Sequence, residues 1–332
     1  MDTRNSVNLG KLETTLTELI ASEKIYVEKL SFIVEGYLQE FRKTTPLVPI
    51  PEDLKNHKGI VVFCNIEDIF YFHTEIFLQI LTKYRHCTLE LGKAIVRCDA
   101  EFQRYAKYCN NIPTAEHIVK THDNYFRAVQ EKLNLKWQLR TLLHIPTQRL
   151  EEYKEMTSDI VARLQALNGD WETMEEAHDM IVNVGKHIYE LSALVDMKNY
   201  EGDIYDNGKL LYHEYLYCEY GGKIHLHYVF LFHRLMVFTD KVKSKDKNGM
   251  PCYTFCLEIP MNRIVVKELL RRRFSLSSTD SKCTFTRMTC HGRTMEVHNT
   301  WLIHLRRQLQ IQAELIDCLV NPTYGNVREV AI

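Results

Sequence analysis

The stretch LETTLTELIASEKIYVEKLSFIVEGYL, residues 12–38, decides the fold of the first half of the chain. Its apolar residues recur at spacings of three and four, which is the period of one face of an α-helix. That face consists of Leu12, Leu16, Leu19, Ile20, Ile25, Tyr26, Leu30, Ile33, Val34, Tyr37 and Leu38. Pro46, Pro49 and Pro51 follow and end the helix, because proline lacks an amide hydrogen and keeps the preceding residue out of the helical region.

The same period predicts five more helices. They cover residues 59–84, 89–110, 114–133, 136–167 and 171–197. Pro113 is expected to open the fourth helix, and Asn168-Gly169 is a typical stop for the fifth. Six helices of this length predict an elongated all-α bundle over residues 9–197.

The pattern changes after Asn207-Gly208, where short segments rich in β-branched and aromatic residues begin. These segments predict seven strands, at 210–218, 223–232, 234–240, 252–259, 263–269, 283–290 and 293–299. An amphipathic helix that contains Trp301 follows at 300–319. The predicted fold class is therefore multidomain α plus β. A junction at 198–208 leads to a second domain at 209–320, which is expected to be an antiparallel barrel or orthogonal sandwich with one end plugged by the helix. A flexible tail is expected at 321–332.

Composition supports two folded domains. The chain has 332 residues, of which 45% are hydrophobic and 26% charged, which excludes a disordered chain. No apolar run approaches the roughly 18 residues of a membrane span, and the start has no apolar signal region, so we expect a cytoplasmic protein. Residues 1–197 carry 23 Lys and Arg against 29 Asp and Glu, a net charge of −6, whereas the remainder carries +5. The basic half suits an anionic surface.

Catalytic fingerprints are missing from the sequence. No Gly-Lys pair completes a phosphate-binding loop, and the hydrolase, zincin and dinucleotide motifs do not occur. His225 and His227 share one face of the second predicted strand, and His213 lies in the preceding strand. One interpretation of the three histidines is a metal site. Without a carboxylate or cysteine at a defined spacing, solvated strand histidines are the favoured interpretation. The ten cysteines are interpreted as free thiols rather than as a zinc knuckle built on Cys252 and Cys256. No cofactor and no nucleic-acid partner is predicted.

Four stretches in the helical half resemble the Dbl-homology family in order. TELIASEKIYVEKL at 17–30 is similar to its first conserved region, and VFCNIEDIFYFHTEIFLQIL at 62–81 to its second. DAEFQRYAKYCNNIPTA at 99–115 is similar to the companion of the second region, and LLHIPTQRLEEYKEM at 142–156 to the third. The strand-rich half resembles the pleckstrin-homology domain that commonly follows, and the junction looks closest to the Trio and kalirin type of tandem.

The resemblance implies a guanine nucleotide exchange factor for a Rho-family small GTPase such as Rho or Rac. Core packing is predicted for Tyr26, Leu30, Ile66, Ile69, Phe102 and Tyr105, because these residues lie on the apolar stripes. The resemblance implies GTPase contact for Glu18, Thr141, Gln148, Arg149, Glu152, Tyr189 and Glu190. For Arg149 an internal hydrogen bond is an equal alternative.

Two departures from the family pattern keep a second hypothesis open. The family usually places a cation three or four residues after Gln-Arg, where this chain has Glu151 and Glu152, and Lys154 is turned about 200° away. Tyr189 stands where the family often has asparagine. The alternative is an exchange-deficient scaffold that binds a GTPase or another protein. A lipid-binding adaptor is the third hypothesis.

The basic half supplies little for specific lipid binding. The loop between the first two strands contributes only Lys223, beside Glu219. With Lys209 and Arg234, this residue is expected to give weak, salt-sensitive attraction to an anionic membrane.

Overall fold

The computed structural model describes residues 3–55, 57–245, 251–270, 272–279 and 287–320. The chain divides into two compact units, Met1–Ile188 and Tyr189–Ile332. The division lies before residue 197, the expected end of the helical domain. No helix among the described residues combines the length and apolar character of a membrane span. The tail expected at 321–332 lies outside the described residues.

The first unit is helical, as predicted, but its long helices are segmented. In chain order the helices are α1 (Thr3–Ser31), α2 (Gln39–Arg42), α3 (His57–Phe63), α4 (Ile66–Tyr71), α5 (Leu78–Lys83), α6 (Thr88–Val96), α7 (Asp99–Gln103), α8 (Tyr105–Thr121), α9 (Asp123–Lys132), α10 (Leu139–Leu143), α11 (Ile145–Ala166) and α12 (Glu172–Ser192). Two π-helical segments, Phe32–Leu38 and Phe72–Phe77, join α1 to α2 and α4 to α5. Helix α12 begins in the first unit and ends in the second.

The predicted helix break at Pro113 is wrong. Pro113 lies inside α8, which ends only at Thr121. A proline inside a helix costs about 3 kcal/mol or more. Ile112, Ala115 and Val119 continue the buried side of α8 across the proline, and their burial offsets this cost.

The core of the first unit confirms the packing role expected for the conserved apolar residues. Tyr26, Leu30, Ile66, Ile69, Phe102 and Tyr105 are all buried. The expectation for Ile25 is wrong, because this side chain is 53% exposed. Its position on α1 is about 100° before Tyr26, which turns it away from the core.

The second unit contains a seven-stranded antiparallel sheet. Its strands are β1 (Leu210–Tyr220), β2 (Lys223–Phe232), β3 (Leu235–Lys245), β4 (Pro251–Pro260), β5 (Ile264–Leu269), β6 (Arg273–Ser278) and β7 (Arg287–Gly292). The spatial order is β4-β3-β2-β1-β7-β6-β5. Within the described residues β4 and β5 are not paired, so the sheet is not closed. The predicted fold class, a helical bundle followed by seven antiparallel strands and a C-terminal helix, is confirmed. The core of the unit includes Trp301 of the last helix, α13 (Met295–Val320).

One strand was missed and one was predicted in error. Strand β6, RFSLSS, is rich in serine and therefore has a weak strand signal, although Phe274 and Leu276 are buried. Residues 293–299, predicted as a strand, contain the start of α13. The hydroxyl of Thr294 accepts a hydrogen bond from the Val297 amide at 3.2 Å, which caps this helix.

Candidate functional site

One face of α1 carries the first predicted contact residue. Glu18, Ser22, Ile25 and Lys29 lie within about 60° of one another around the helix, because they are spaced by four, three and four residues. Glu18 is exposed beside a groove of about 400 Å³, whose lining includes Glu13 and the loop residues Arg85 and His86. The carboxylate is therefore open to a partner.

The same face of α1 borders the start of α11. A cleft of about 140 Å³ is lined by Ser22, Ile25, Tyr26 and Lys29 from α1, and by Ile145, Gln148, Arg149 and Glu152 from α11. Gln148 is exposed. Three of the predicted contact residues thus lie together on the continuation of the face that carries Glu18. We call this surface, from Glu18 to Glu152, the α1/α11 face.

Arg149 forms internal hydrogen bonds, the second of the two alternatives expected for this residue. The side chain is 2% exposed, and its Nη2 donates to Glu23 Oε2 at 2.9 Å and to Ser22 Oγ at 3.1 Å. Its Nη1 donates to Glu152 Oε2 at 2.6 Å. The guanidinium therefore ties α11 to α1, and any contact of Arg149 with a partner stays a prediction.

Glu23 is the centre of a buried polar network that the sequence analysis missed. Its carboxylate accepts hydrogen bonds from Arg149 and from the Tyr153 hydroxyl, and its Oε1 lies 2.7 Å from His73 Nδ1. The Tyr105 hydroxyl lies 2.7 Å from His73 Nε2 and 2.8 Å from the Tyr26 hydroxyl. The available signal was a charged residue on an apolar stripe, since Leu16, Leu19, Glu23, Tyr26 and Leu30 follow at helical spacing.

The network keeps Glu23 ionised although the side chain is fully buried. Burial alone would raise the pKa of this carboxyl, but His73, Arg149 and Tyr153 outweigh burial and hold the pKa below its ordinary value of 4.5. Burial also raises the pKa of the Tyr153 hydroxyl, so this hydroxyl stays protonated and acts as a donor. The charges of Glu23 and Arg149 therefore compensate each other inside the bundle.

The acidic pair after Gln-Arg divides between two sides of α11. The Glu152 side chain is 53% exposed and pairs with Arg149, as described above. Glu151 instead pairs with Lys154, so this lysine does not replace the missing cation near Glu152. The α1/α11 face presents Glu18 and Glu152 as exposed acids, with Lys29 at its border.

The other predicted contact residues belong to other elements of the chain. Thr141 is exposed on α10. Tyr189 and Glu190 fall in the second compact unit, where Tyr189 is 67% exposed and Glu190 Oε1 lies 3.8 Å from His213 Nε2. Their contact with a GTPase stays a prediction.

The three predicted lipid-binding residues do not form one site. The amide of His233 donates to Lys209 O and that of Arg234 to Asn207 O, so Lys209 and Arg234 lie near the same end of the sheet. Lys223 begins β2 at the opposite end, roughly 30 Å away along the strand. A single headgroup cannot contact all three residues.

One of the three strand histidines differs from the expectation. His227 is buried rather than solvated, with Nδ1 3.0 Å from Asp240 Oδ1 and Nε2 2.9 Å from the Tyr220 hydroxyl. His213 lies against Tyr228 and Phe230, and so is separate from the Asp240 cluster. The nine cysteines in the described part of the chain form no disulfide bond.

Comparison with known families matches both units. Residues 15–189, just over half of the chain, match the RhoGEF domain, and residues 204–308 match the SOS1/NGEF-like PH domain.

Individual relatives cover different shares of the chain. Human Rho guanine nucleotide exchange factor 25 is 27% identical over 326 residues, which are 95% of this chain and 55% of that protein. Human guanine nucleotide exchange factor DBS is 31% identical over 198 residues, 59% of this chain and 17% of that protein. A structure of the Vav1 exchange factor aligns with a TM-score of 0.49 and 16% identity, over 91% of this chain and 83% of that one. The chain spans about half the length of the first of these relatives.

Proposed function

Because the chain is a member of the RhoGEF family, we propose that it is a guanine nucleotide exchange factor for a Rho-family small GTPase, such as Rho or Rac. An exchange factor of this kind works by binding the nucleotide-free GTPase more tightly than the loaded one. The observation that carries the proposal is the exposed Glu18 beside an open groove on α1. A buried Glu18 would have removed the acceptor that the mechanism needs.

In the proposed mechanism Glu18 acts on switch I of the GTPase. Its carboxylate accepts hydrogen bonds from N–H or O–H groups of that loop and draws them away from the nucleotide. Helices α11 and α12 brace switch II, so that magnesium and phosphate lose their ligands. By linkage, incoming nucleotide weakens the complex by the same factor and expels the exchange factor.

The buried network is proposed to position the α1/α11 face. Arg149 connects α11 to Glu23 and Ser22 of α1, two elements more than a hundred residues apart in sequence. This connection fixes Gln148 and Glu152 relative to Glu18. Arg149 is thus a positioning residue in the proposal.

The exchange reaction in this proposal makes and breaks no covalent bond, in line with a sequence that lacks hydrolase, transferase and redox fingerprints. The site of action is the cytoplasm, with peripheral contact to an anionic membrane through the net charge of +5 of residues 198–332. Because Lys223 and Arg234 lie at opposite ends of the sheet, this attraction is diffuse. Flotation with anionic vesicles should show binding that disappears at high salt and has no phosphoinositide preference.

Release of fluorescent GDP from a panel of Rho, Rac and related GTPases tests the proposed function. The intact chain should accelerate release from at least one member. Glu18→Ala should remove most of this acceleration, since a charge-assisted hydrogen bond contributes about 1.5–3 kcal/mol, which is roughly 10–150-fold in rate. Glu13→Ala, in the lining of the same groove, is the matched control and should retain activity. No acceleration of any member at micromolar exchange factor would overturn the proposal.

An exchange-deficient scaffold is the second candidate function. It is favoured by Glu152 and Tyr189, which replace a cation and an amide of the family pattern. Glu152 is also paired with Arg149, so it is held in place rather than free to turn away. Under this alternative the chain binds a nucleotide-free GTPase in a pull-down and leaves the rate of GDP release unchanged.

A further inference from the structure

Three neighbouring strands of the second unit bring a histidine, an aspartate and a cysteine together. Tyr228 of β2 pairs with Thr239 of β3, which sets the adjacent His227 and Asp240 opposite each other. On the other side of β3, Asp240 pairs with Thr254 of β4. The sheet thus fixes the His227–Asp240 pair by backbone register, beside the strand that carries Cys256.

Alternation along β4 places Cys256 on the face of this pair. Asp240 pairs with Thr254, and Cys256 follows two residues later, on the same face of the sheet. The register then shifts, because Thr239 pairs with Phe255 and Phe238 with Leu257, so Cys256 is the extra residue of a bulge. Cys256 therefore shares the face of Asp240 and His227.

The three side chains present different ligand atoms within a small volume. A ring nitrogen of His227, a carboxylate oxygen of Asp240 and Cys256 Sγ all lie within 4.8 Å of one another. The ring nitrogen beside Asp240 is Nδ1, which lies 3.0 Å from Oδ1. Ligands of a tetrahedral zinc ion are about 3.3–3.8 Å apart, given metal–ligand bonds of about 2.0–2.3 Å. Small rotations of side chains cover this difference. Asp240 can rotate without losing packing, because its side chain is 65% exposed.

A supporting contact orients the histidine. The Tyr220 hydroxyl lies 2.9 Å from His227 Nε2, the ring nitrogen that faces away from Asp240. A metal-binding histidine usually donates its second ring N–H to an oxygen acceptor such as a carboxylate, a backbone carbonyl or water, which directs the lone pair of the other nitrogen at the metal. The oxygen of a tyrosine hydroxyl can accept the same hydrogen bond. Tyr220 thus takes the place of that second-nitrogen partner.

We propose that His227, Asp240 and Cys256 form a Zn²⁺ site, with water as the fourth ligand. A set of one nitrogen, one oxygen and one sulfur ligand favours zinc over magnesium or calcium, which prefer oxygen alone. On binding, the Cys256 thiol transfers its proton to solvent and the thiolate forms the zinc–sulfur bond. The metal then links β2, β3 and β4 at one point. The inference is independent of nucleotide exchange.

Titration of the intact, metal-free chain with Zn²⁺ tests the site. One equivalent should bind, and Co²⁺ in its place should give the absorption of a thiolate-to-cobalt bond. Cys256→Ser should abolish that absorption and weaken zinc binding at least tenfold. Cys252→Ser, a second cysteine of β4 outside the cluster, is the matched control and should bind zinc as the wild type does. Tyr220→Phe should weaken binding 10–100-fold through loss of the supporting hydrogen bond.

Asp240→Asn separates loss of zinc binding from loss of folding, because the exposed Asp240 side chain can change without disturbing the core. This variant should keep the circular dichroism of the wild type and lose at least tenfold in zinc affinity. Absence of stoichiometric zinc binding by the wild type would overturn the inference. So would unchanged affinity in both Cys256→Ser and Asp240→Asn.

Discussion

Replacing Arg149 by methionine should destabilise the helical unit strongly. Methionine keeps much of the aliphatic stem but leaves the fully buried Glu23 carboxylate without its guanidinium partner at 2.9 Å. It also removes the guanidinium from above the Tyr153 ring, 4.4 Å from its centroid. Loss of one partner of a buried ion pair costs about 3–5 kcal/mol. The remaining bonds of Glu23 to His73 and Tyr153 place the expected loss near the lower end of this range.

Urea unfolding followed by far-ultraviolet circular dichroism measures this loss, because the helices of the first unit dominate the signal. Arg42→Met is the matched control. Arg42 forms two hydrogen bonds of 2.6 Å with Glu67, but both side chains are substantially exposed, so their pair should contribute only about 0–1 kcal/mol. Equal losses of unfolding free energy in the two variants would refute the argument that burial makes the Arg149–Glu23 pair structurally critical.

Three further changes test separate parts of the structure. Glu152→Lys should raise the rate of GDP release, because it restores the cation of the family pattern. Glu151→Lys is the control and should leave the rate unchanged, since Glu151 lies on the side of α11 that pairs with Lys154. A lower rate in Glu152→Lys would indicate a GTPase adapted to the acid. The pKa of Glu23 is lower in the folded chain than its ordinary value of 4.5, so its stabilising contribution is complete above pH 4.5 and is lost at more acid pH. The urea midpoint should therefore fall more steeply with decreasing pH in the wild type than in Glu23→Gln. Gly92→Ala should lower the free energy of unfolding by about 1–3 kcal/mol, because the new Cβ would lie 2.6 Å from the Thr173 carbonyl. Gly10→Ala is the control and should not destabilise the chain, since its Cβ would meet nothing within 4 Å.

Much of the fold follows from periodicity in the sequence. The apolar stripes predicted the helical unit and most of the strands, because burial of a continuous face outweighs local preferences. The same balance explains the error at Pro113, where tertiary burial overrides a local breaker that propensity treats as decisive. Thr294 is a typical helix N-cap residue, but polar and apolar residues also alternate over 293–299, and this alternation predicted a strand.

The site was predictable only in part. Glu18, Gln148 and Glu152 were identified through family motifs, and the structure brings them to one face. The role of Glu23 depends on partners 50 and 126 residues away, which no local pattern reveals. The cluster of His227, Asp240 and Cys256 depends on the pairing of three strands, in which Asp240 of β3 lies between His227 of β2 and Thr254 of β4. No local sequence pattern reveals that pairing.

The affinities of the intact chain for the nucleotide-free and the GDP-loaded forms of one GTPase test the central claim most directly. The account predicts that the nucleotide-free form binds roughly a hundredfold more tightly, and that Glu18→Ala reduces this ratio. Equal affinity for the two forms would contradict the account, because a protein that does not distinguish them cannot drive nucleotide release.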